Sequence, residues 1–206
     1  TATATPTPSP TATLTRTPTP TATATPTSTP TATPTPTPLP ERVLLESMNY
    51  QRQGFNNCGP TSVAILLGYY GHQVTQHDVN QEIPAGSLAN LDAYLVQYEL
   101  MTRAYRTSPS RDAVRLLLAQ HVPVIANQWL TREDKEIRHY RVIRGYDDAT
   151  QEFIVDDPLL GADMHITYAD FIWLSSPGHI LPIYPPELDP LVRTLMSELH
   201  MREAPV

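Results

Sequence analysis

Residues 53–71 read QGFNNCGPTSVAILLGYYG, and this stretch decides how the folded part of the chain is built. A polar turn cluster at residues 56–60 leads into the apolar run 63–67, and Gly71 follows shortly afterwards. Proline fits the first turn of a helix because its missing N–H is not needed there, and glycine fits the position after the last turn. The pattern predicts a helix over residues 61–70 that is buried on nearly all sides.

Cys58, the only cysteine of the chain, stands at the start of this predicted helix. A helix N-terminus presents free N–H groups and positive potential, and both favour a thiolate over a thiol. A lone cysteine excludes an internal disulfide framework and a multi-thiolate zinc site. Cys58 is therefore either a small buried apolar residue or a nucleophile.

A thiolate nucleophile needs a base, usually histidine, and a group that orients this base. Among seven histidines, His139 is favoured because it opens the first strand of a predicted hairpin. With the turn centred on Asp148, His139 lies opposite Asp157, and opposed residues of an antiparallel pair point to the same face. A slip of one residue would place Asp156 there instead.

The oxyanion formed during acyl transfer needs hydrogen-bond donors. The backbone N–H of Cys58 is one, and a glutamine side chain just upstream is the natural second. Gln53 is preferred for its position five residues before Cys58, and Gln51 stays open.

The remaining pattern places helices first and mostly strands later, which indicates an α+β fold with an antiparallel sheet. The charged segment 131–138 is predicted as a loop, either solvated or closing over the site. The last helix either packs on the domain core or begins a further helical module. Predicted helices cover 76–81, a segment from 87 or 90 to 98, 111–120, 168–174 and 188–201; predicted strands cover 42–48, 101–106, 123–129, 139–145, 151–156 and 180–184.

Residues 1–40 hold 18 Thr and 11 of the 22 Pro, with Arg16 as their single charge and no aromatic residue. This composition cannot bury enough apolar surface to offset the entropy of ordering, so it predicts a disordered linker. The folded domain is predicted at 41–186, and a C-terminal helical segment at 187–206. A Thr-dense stalk suits an exported protein, so we expect an extracellular or cell-surface location, with a membrane or cell-wall anchor upstream of the stalk.

The net charge is −7 and there is no Lys/Arg cluster, which argues against nucleic acid or an anionic membrane as a partner. No stretch approaches the ~18 consecutive apolar residues of a membrane helix. His72 and His77 are five positions apart, a poor spacing for one helical face, and the other histidines are scattered. The sequence therefore predicts no metal site and no cofactor.

Three segments together resemble one known family. The run at 53–71, HYRVIRGYD at 139–147 and FIVDDP at 153–158 are similar to the nucleophile, histidine and Asp-Pro segments of the C39-like peptidase family. The motifs follow the family's order, and the resemblance covers roughly residues 43–184. It implies a papain-like fold, in which the nucleophile helix packs on an antiparallel sheet, and hydrolysis of peptide bonds.

By position, the resemblance makes Cys58 the nucleophile, His139 the base and acid, Asp157 the orienting carboxylate and Gln53 the oxyanion donor. It implies a peptide or protein substrate, and the domain is expected to be a monomer. Two alternatives stay open: acyl transfer to an amine, as in transglutaminase-like relatives, and a non-catalytic peptide-binding module on the same scaffold. Arg141 stands where the family usually carries an apolar residue.

Overall fold

The computed structural model describes residues 1–3, 38–106, 110–176 and 178–204. The predicted disordered linker falls mainly on residues outside this description, so its disorder stays a prediction. The helices span Cys58–Tyr69 (α1), Gln76–Asn80 (α2), Leu91–Leu95 (α3), Arg111–Ala119 (α4), Tyr168–Leu174 (α5) and Asp189–Glu198 (α6). The strands span Arg42–Leu44 (β1), Met101–Thr102 (β2), Ala104–Arg106 (β3), Val124–Arg132 (β4), Lys135–Asp147 (β5), Glu152–Asp157 (β6), Gly161–Thr167 (β7), His179–Tyr184 (β8) and Arg202–Ala204 (β9).

The described strands form one antiparallel sheet in the order β7-β6-β5-β4-β8-β3-β9, with β1 paired to β5 and β2 to β8. Helices cover both faces. The first three helices pack on the face that carries Ile125 and Val142, and the last three on the face that carries Val124 and Ile143. Neighbouring strand residues alternate between these two cores, as the pleat requires.

Helix α1 is the apolar centre of one core. Eleven of its twelve residues are buried, so its two ends are fixed by packing on several sides. Gly59 allows the close approach of the loop before α3, because a Cβ there would lie 2.7 Å from the carbonyl oxygen of Ser87. The chain leaves the helix at Gly71, whose φ of +84° is the left-handed conformation that glycine tolerates.

The predicted loop at residues 131–138 is wrong. Strand β4 continues to Arg132 and β5 begins at Lys135, so the segment is a two-stranded arm. Its two-residue turn uses Glu133 and Asp134, whose φ angles are 50° and 62°. Turns of this kind match the twist of a hairpin, and the charged side chains of residues 132–136 stay exposed on the arm.

Two strands were not expected from the sequence, β7 and β9. Strand β9 follows α6 and pairs with β3 at one edge of the sheet. Val192 and Met196 of α6 are buried against the core that also contains α4 and α5.

Among the helices of the described residues, none has the length and apolar character required to span a bilayer.

Candidate active site

Three of the predicted site residues meet where α1 begins. Cys58 is the first residue of α1, His139 lies on β5 and Asp157 is the last residue of β6. Cys58 and His139 line a cleft of about 420 Å³ together with Gln53, whereas Asp157 is fully buried. The thiol, the imidazole and the carboxylate are thus brought together from three separate elements.

Opposing effects act on the Cys58 thiol. Burial disfavours the thiolate, since only 7% of the residue is exposed. Hydrogen bonds from the His139 side chain and from the backbone of Tyr140 and Gly59 favour it, and their combined effect lowers the pKa of the Cys58 thiol below its ordinary value. No acidic residue stands in the first turn of α1 to oppose the thiolate.

His139 is held by a charge-assisted hydrogen bond. Its Nε2 lies 2.8 Å from Oδ1 of Asp157, which leaves Nδ1 as the ring nitrogen for the Cys58 thiol. Burial lowers the pKa of His139, but the bonds to Asp157 and Cys58 outweigh this effect and raise it above the ordinary value. The arrangement therefore favours an imidazolium beside a thiolate.

Asp157 is fully buried and each of its oxygens is bonded. Oδ1 accepts hydrogen bonds from the backbone N–H of Leu159 and of Leu160, at 2.8 and 3.0 Å, as well as from His139. Oδ2 accepts one from Nε of Arg141 at 2.6 Å. Burial opposes ionisation, but these bonds and charges hold the pKa of Asp157 far below its usual range.

The predicted register of the hairpin is wrong, although the predicted partner is found. Val142 pairs with Asp156, so Asp157 comes opposite position 141 and not opposite His139. The turn is centred more than one residue later than expected. A difference of two positions preserves the face, so the two side chains still meet diagonally. Asp156 lies on the other face, where it is bonded to Arg144 at 3.2 Å.

The two glutamines before Cys58 have different surroundings. The Gln51 side chain is hydrogen-bonded to backbone groups at both ends of its amide. Its Nε2 donates to the Val74 carbonyl at 2.7 Å, and its Oε1 accepts from Gln76 N–H at 3.0 Å. Gln53 lines the cleft and donates to the Gly54 carbonyl at 3.3 Å. Gln53 is therefore the one of the two that is placed to reach a bound molecule.

Gln76 was missed by sequence reasoning. Its Oε1 accepts hydrogen bonds from Gly54 N–H and Asn57 Nδ2, both at 2.7 Å, and its Nε2 donates to the Arg52 carbonyl at 2.8 Å. The loop that carries Gln53 is thereby tied to α2. Local sequence patterns do not predict these bonds, because the bonds join residues about twenty positions apart.

Metal-binding geometry does not occur in the described part of the chain, where no group of three His, Cys, Asp or Glu side chains is arranged to hold an ion. The site is instead an arrangement of thiol, imidazole and carboxylate in a shielded cleft. Such a set can generate a nucleophile, accept its proton and return that proton to a leaving group.

The model of the Peptidase_C39 like family matches residues 45–174. Among solved structures, one similar chain is described as a double glycine motif protease from an AMS/PCAT transporter in complex with the leader peptide. It is 21% identical, with a TM-score of 0.52, over 68% of this chain and 94% of that chain.

Another is the peptidase domain of Streptococcus ComA, a bi-functional ABC transporter involved in a quorum sensing pathway. It is 15% identical, with a TM-score of 0.48, over 66% of this chain and 98% of that chain. No curated protein matches the sequence. The likeness to the first structure confirms the predicted fold class, in which helices pack on an antiparallel sheet.

Proposed function

The chain belongs to the Peptidase_C39 like family, and from its site we propose that it is a cysteine peptidase that hydrolyses peptide bonds through Cys58, His139 and Asp157. The observation that carries the proposal is the hydrogen-bonded series from thiol to imidazole to buried carboxylate, which opens on a cleft. A binding module would not need a thiol whose pKa is lowered by a histidine.

The acylation step uses both partners of the ion pair. The Cys58 thiolate attacks the carbonyl carbon of the scissile bond, and the oxygen takes up negative charge. The Cys58 N–H and Nε2 of Gln53 donate hydrogen bonds to this oxygen, for which Gln53 gives up its long bond to Gly54. The His139 imidazolium then protonates the leaving amine as the C–N bond breaks, and a thioester remains on the sulfur.

Deacylation reverses the proton transfer. Neutral His139 takes a proton from water, and the hydroxide attacks the thioester carbon. The C–S bond breaks, the acid product leaves, and the imidazolium–thiolate pair is restored. Asp157 stays ionised throughout and stabilises the charged imidazole.

The substrate that we propose is an extended peptide or protein segment. The solved relative described with a leader peptide supports a peptide ligand for this cleft. An extracellular or cell-surface location remains a prediction from the Thr/Pro tract. Transfer of the acyl group to an amine uses the same groups, with an amine in place of water.

The test compares the full chain with its Cys58→Ala variant on a diverse peptide library, with products read by mass spectrometry. We expect cleavage by the wild type and none by the variant, at equal melting temperatures. Incorporation of one oxygen from labelled water into the new carboxylate identifies hydrolysis, whereas an amine adduct identifies transfer. Absence of cleavage, together with failure of a peptidyl thiol-directed electrophile to label Cys58, would establish the binding module.

A further inference from the structure

A second buried cation lies behind the proposed catalytic residues. Arg141 is 3% exposed and bonds to Oδ2 of Asp157 at 2.6 Å and to Oε1 of Gln128 at 3.0 Å. Gln128 continues the series by donating to Oγ of Ser175 at 2.8 Å. The polar series from His139 thus extends past the carboxylate to the end of α5.

The strand geometry fixes Arg141 between two neighbours. It lies on β5 two positions after His139 and on the same face, with Asp157 of β6 on one side. On the other side, β4 places Gln128 directly opposite His139. The guanidinium therefore spans three strands, and its forked donors match the carboxylate and the amide without freedom to turn.

The two oxygens of Asp157 have separate partners. Oδ1 is held by His139 and by the N–H groups of Leu159 and Leu160, so the carboxylate keeps its place without help from Oδ2. Oδ2 faces only Arg141 among the bonds of the described residues. The arginine is thus not required to orient the carboxylate, and its main effect is on charge.

We propose that Arg141 is a positioning residue that acts through Asp157: it shares the carboxylate's charge with His139, so that the imidazole can both release and retake its proton. This inference rests on the proposed function. With Asp157 balanced by His139 alone, the imidazolium would be held too firmly. Deacylation would then slow, because it needs neutral imidazole as the base.

The charged and titratable groups acting on His139 are Cys58 from α1, Asp157 from β6 and Arg141 from β5. Gln128, the neighbour from β4, is neutral. Arg141 lowers the pKa of His139 through its like charge, against the effects of Asp157 and Cys58. Removing this charge must therefore raise the pKa of the imidazolium.

The test is the NMR titration of His139 in the full chain carrying Cys58→Ser, with Arg141→Met and Arg141→Lys compared. We expect Arg141→Met to move the titration of His139 upward by about one pH unit, and Arg141→Lys to leave it nearly unchanged because the charge persists. The matched control is Arg144→Met, which removes a bonded arginine of the same strand that is paired with Asp156 on the other face.

The proposal is overturned if Arg141→Met leaves the titration of His139 unchanged or lowers it. A lowered value would mean that the arginine merely keeps the carboxylate in place. Should Arg141→Met not accumulate as folded protein, Arg141→Gln serves instead. Its neutral amide can still donate to Oδ2 of Asp157 but carries no charge, so the titration of His139 must again rise.

A kinetic measurement separates this inference from the proposed function. With a peptide that the wild type cleaves, Arg141→Met should shift the acid limb of kcat to higher pH and lower kcat by about tenfold at neutral pH. KM should fall with kcat and kcat/KM should change little, because only deacylation slows. If the wild type cleaves no peptide, the proposed function fails, and the titration still decides the effect of Arg141 on His139.

Discussion

At the sulfur of Cys58, burial and hydrogen bonding act against each other. Burial alone would produce an inert thiol, as in most lone cysteines of a hydrophobic core. The bonds from His139 and from the backbone at Tyr140 and Gly59 reverse that outcome. The reactivity of the residue therefore depends on a partner that is 81 positions away and not on the helix alone.

Replacing His139 by alanine should raise the pKa of the Cys58 thiol, which His139 lowers in the wild type. Without the imidazole, burial becomes the dominant effect on Cys58, so its pKa should rise above the ordinary range of a thiol. Below the pKa, each unit of increase lowers the thiolate fraction tenfold, so alkylation by iodoacetamide near pH 6 should slow by at least about tenfold. The rate is measured by mass spectrometry of labelled Cys58 across a pH series.

The control for this experiment is His165→Ala, which removes an exposed histidine bonded to Glu152. Its alkylation profile should match that of the wild type. An unchanged profile in His139→Ala would show that the helix N-terminus, and not the imidazole, sets the reactivity of Cys58.

The two upstream glutamines should separate catalysis from stability. Gln53→Ala removes the proposed oxyanion donor, so kcat should fall by about 10²-fold with KM little changed. Gln51→Ala removes bonds to the backbone at Val74 and Gln76, so it should lower the free energy of unfolding by about 1 kcal/mol and leave kcat nearly intact. A larger loss of kcat in Gln51→Ala would transfer the donor assignment to Gln51.

Among the elements, strand β5 decides which acid meets the histidine. Ile143 pairs with Val155 and Gly145 with Ile154, so Arg144 is the extra residue of a β-bulge. Ile143 and Tyr146 are three positions apart, yet both belong to the same core, which the bulge makes possible. The side chains of β5 thus exchange faces of the sheet at the bulge, between the turn and the site.

The bulge determines which of two adjacent acids at the end of β6, Asp156 or Asp157, shares a face with His139. If the register near the turn continued without the bulge, Asp157 would stand opposite Val142 and Asp156 would take the face of His139. One inserted residue therefore selects Asp157.

Deleting Arg144 tests this claim. The deletion should bring Asp156 to the face of His139 and lower kcat/KM by about 10³-fold or more, because the imidazole loses its proper partner. The matched variant Arg144→Ala keeps the bulge and loses only side-chain bonds, including those to Asp156 at 3.2 Å and to the Leu45 carbonyl at 3.0 Å. It should retain most activity. Equal activity of the two variants, each melting cooperatively, would show that register does not select the acid.

Local signals predicted several elements well. The sequence predicts α5 with the bounds observed, because Thr167 accepts the N–H of Asp170 as a helix cap and apolar residues follow. Helix α1 was recognisable from its apolar run, and the structure extends it to Cys58 at its start. Such features depend on neighbours in sequence, which a pattern can represent.

Features set by distant neighbours were not predictable in this way. The turn is centred later than predicted, and the bulge at Arg144 offsets one position of that difference, so the register at the site differs by two positions from the expected one. Strand β7 contains Asp163 and His165 and alternates weakly, since much of it faces solvent. The bonds of Gln76 and Arg141 arise only after the sheet and helices have assembled.

For the whole molecule, the tail after residue 186 is bonded to the sheet of the domain. The predicted boundary at residue 186 places α6 and β9 outside the domain. In the structure, Arg103 forks onto Asp189 at the start of α6, with bonds of 2.6 and 3.0 Å, and also bonds Glu203 in β9 at 2.7 Å. These long-range bonds join the tail to the far edge of the sheet, so we expect the tail to unfold together with the domain.

The Met196→Ala variant tests whether α6 unfolds together with the rest of the domain. Met196 is fully buried between α6 and the core, so its truncation should lower the free energy of unfolding by about 2–5 kcal/mol in a single transition. Leu191→Ala on the same helix is the control, since Leu191 is 37% exposed and should cost less than about 0.5 kcal/mol. Denaturant unfolding followed by circular dichroism gives both values. Equal small losses in the two variants would mean that α6 melts independently, as the start of a further module would, and that the core is closed without it.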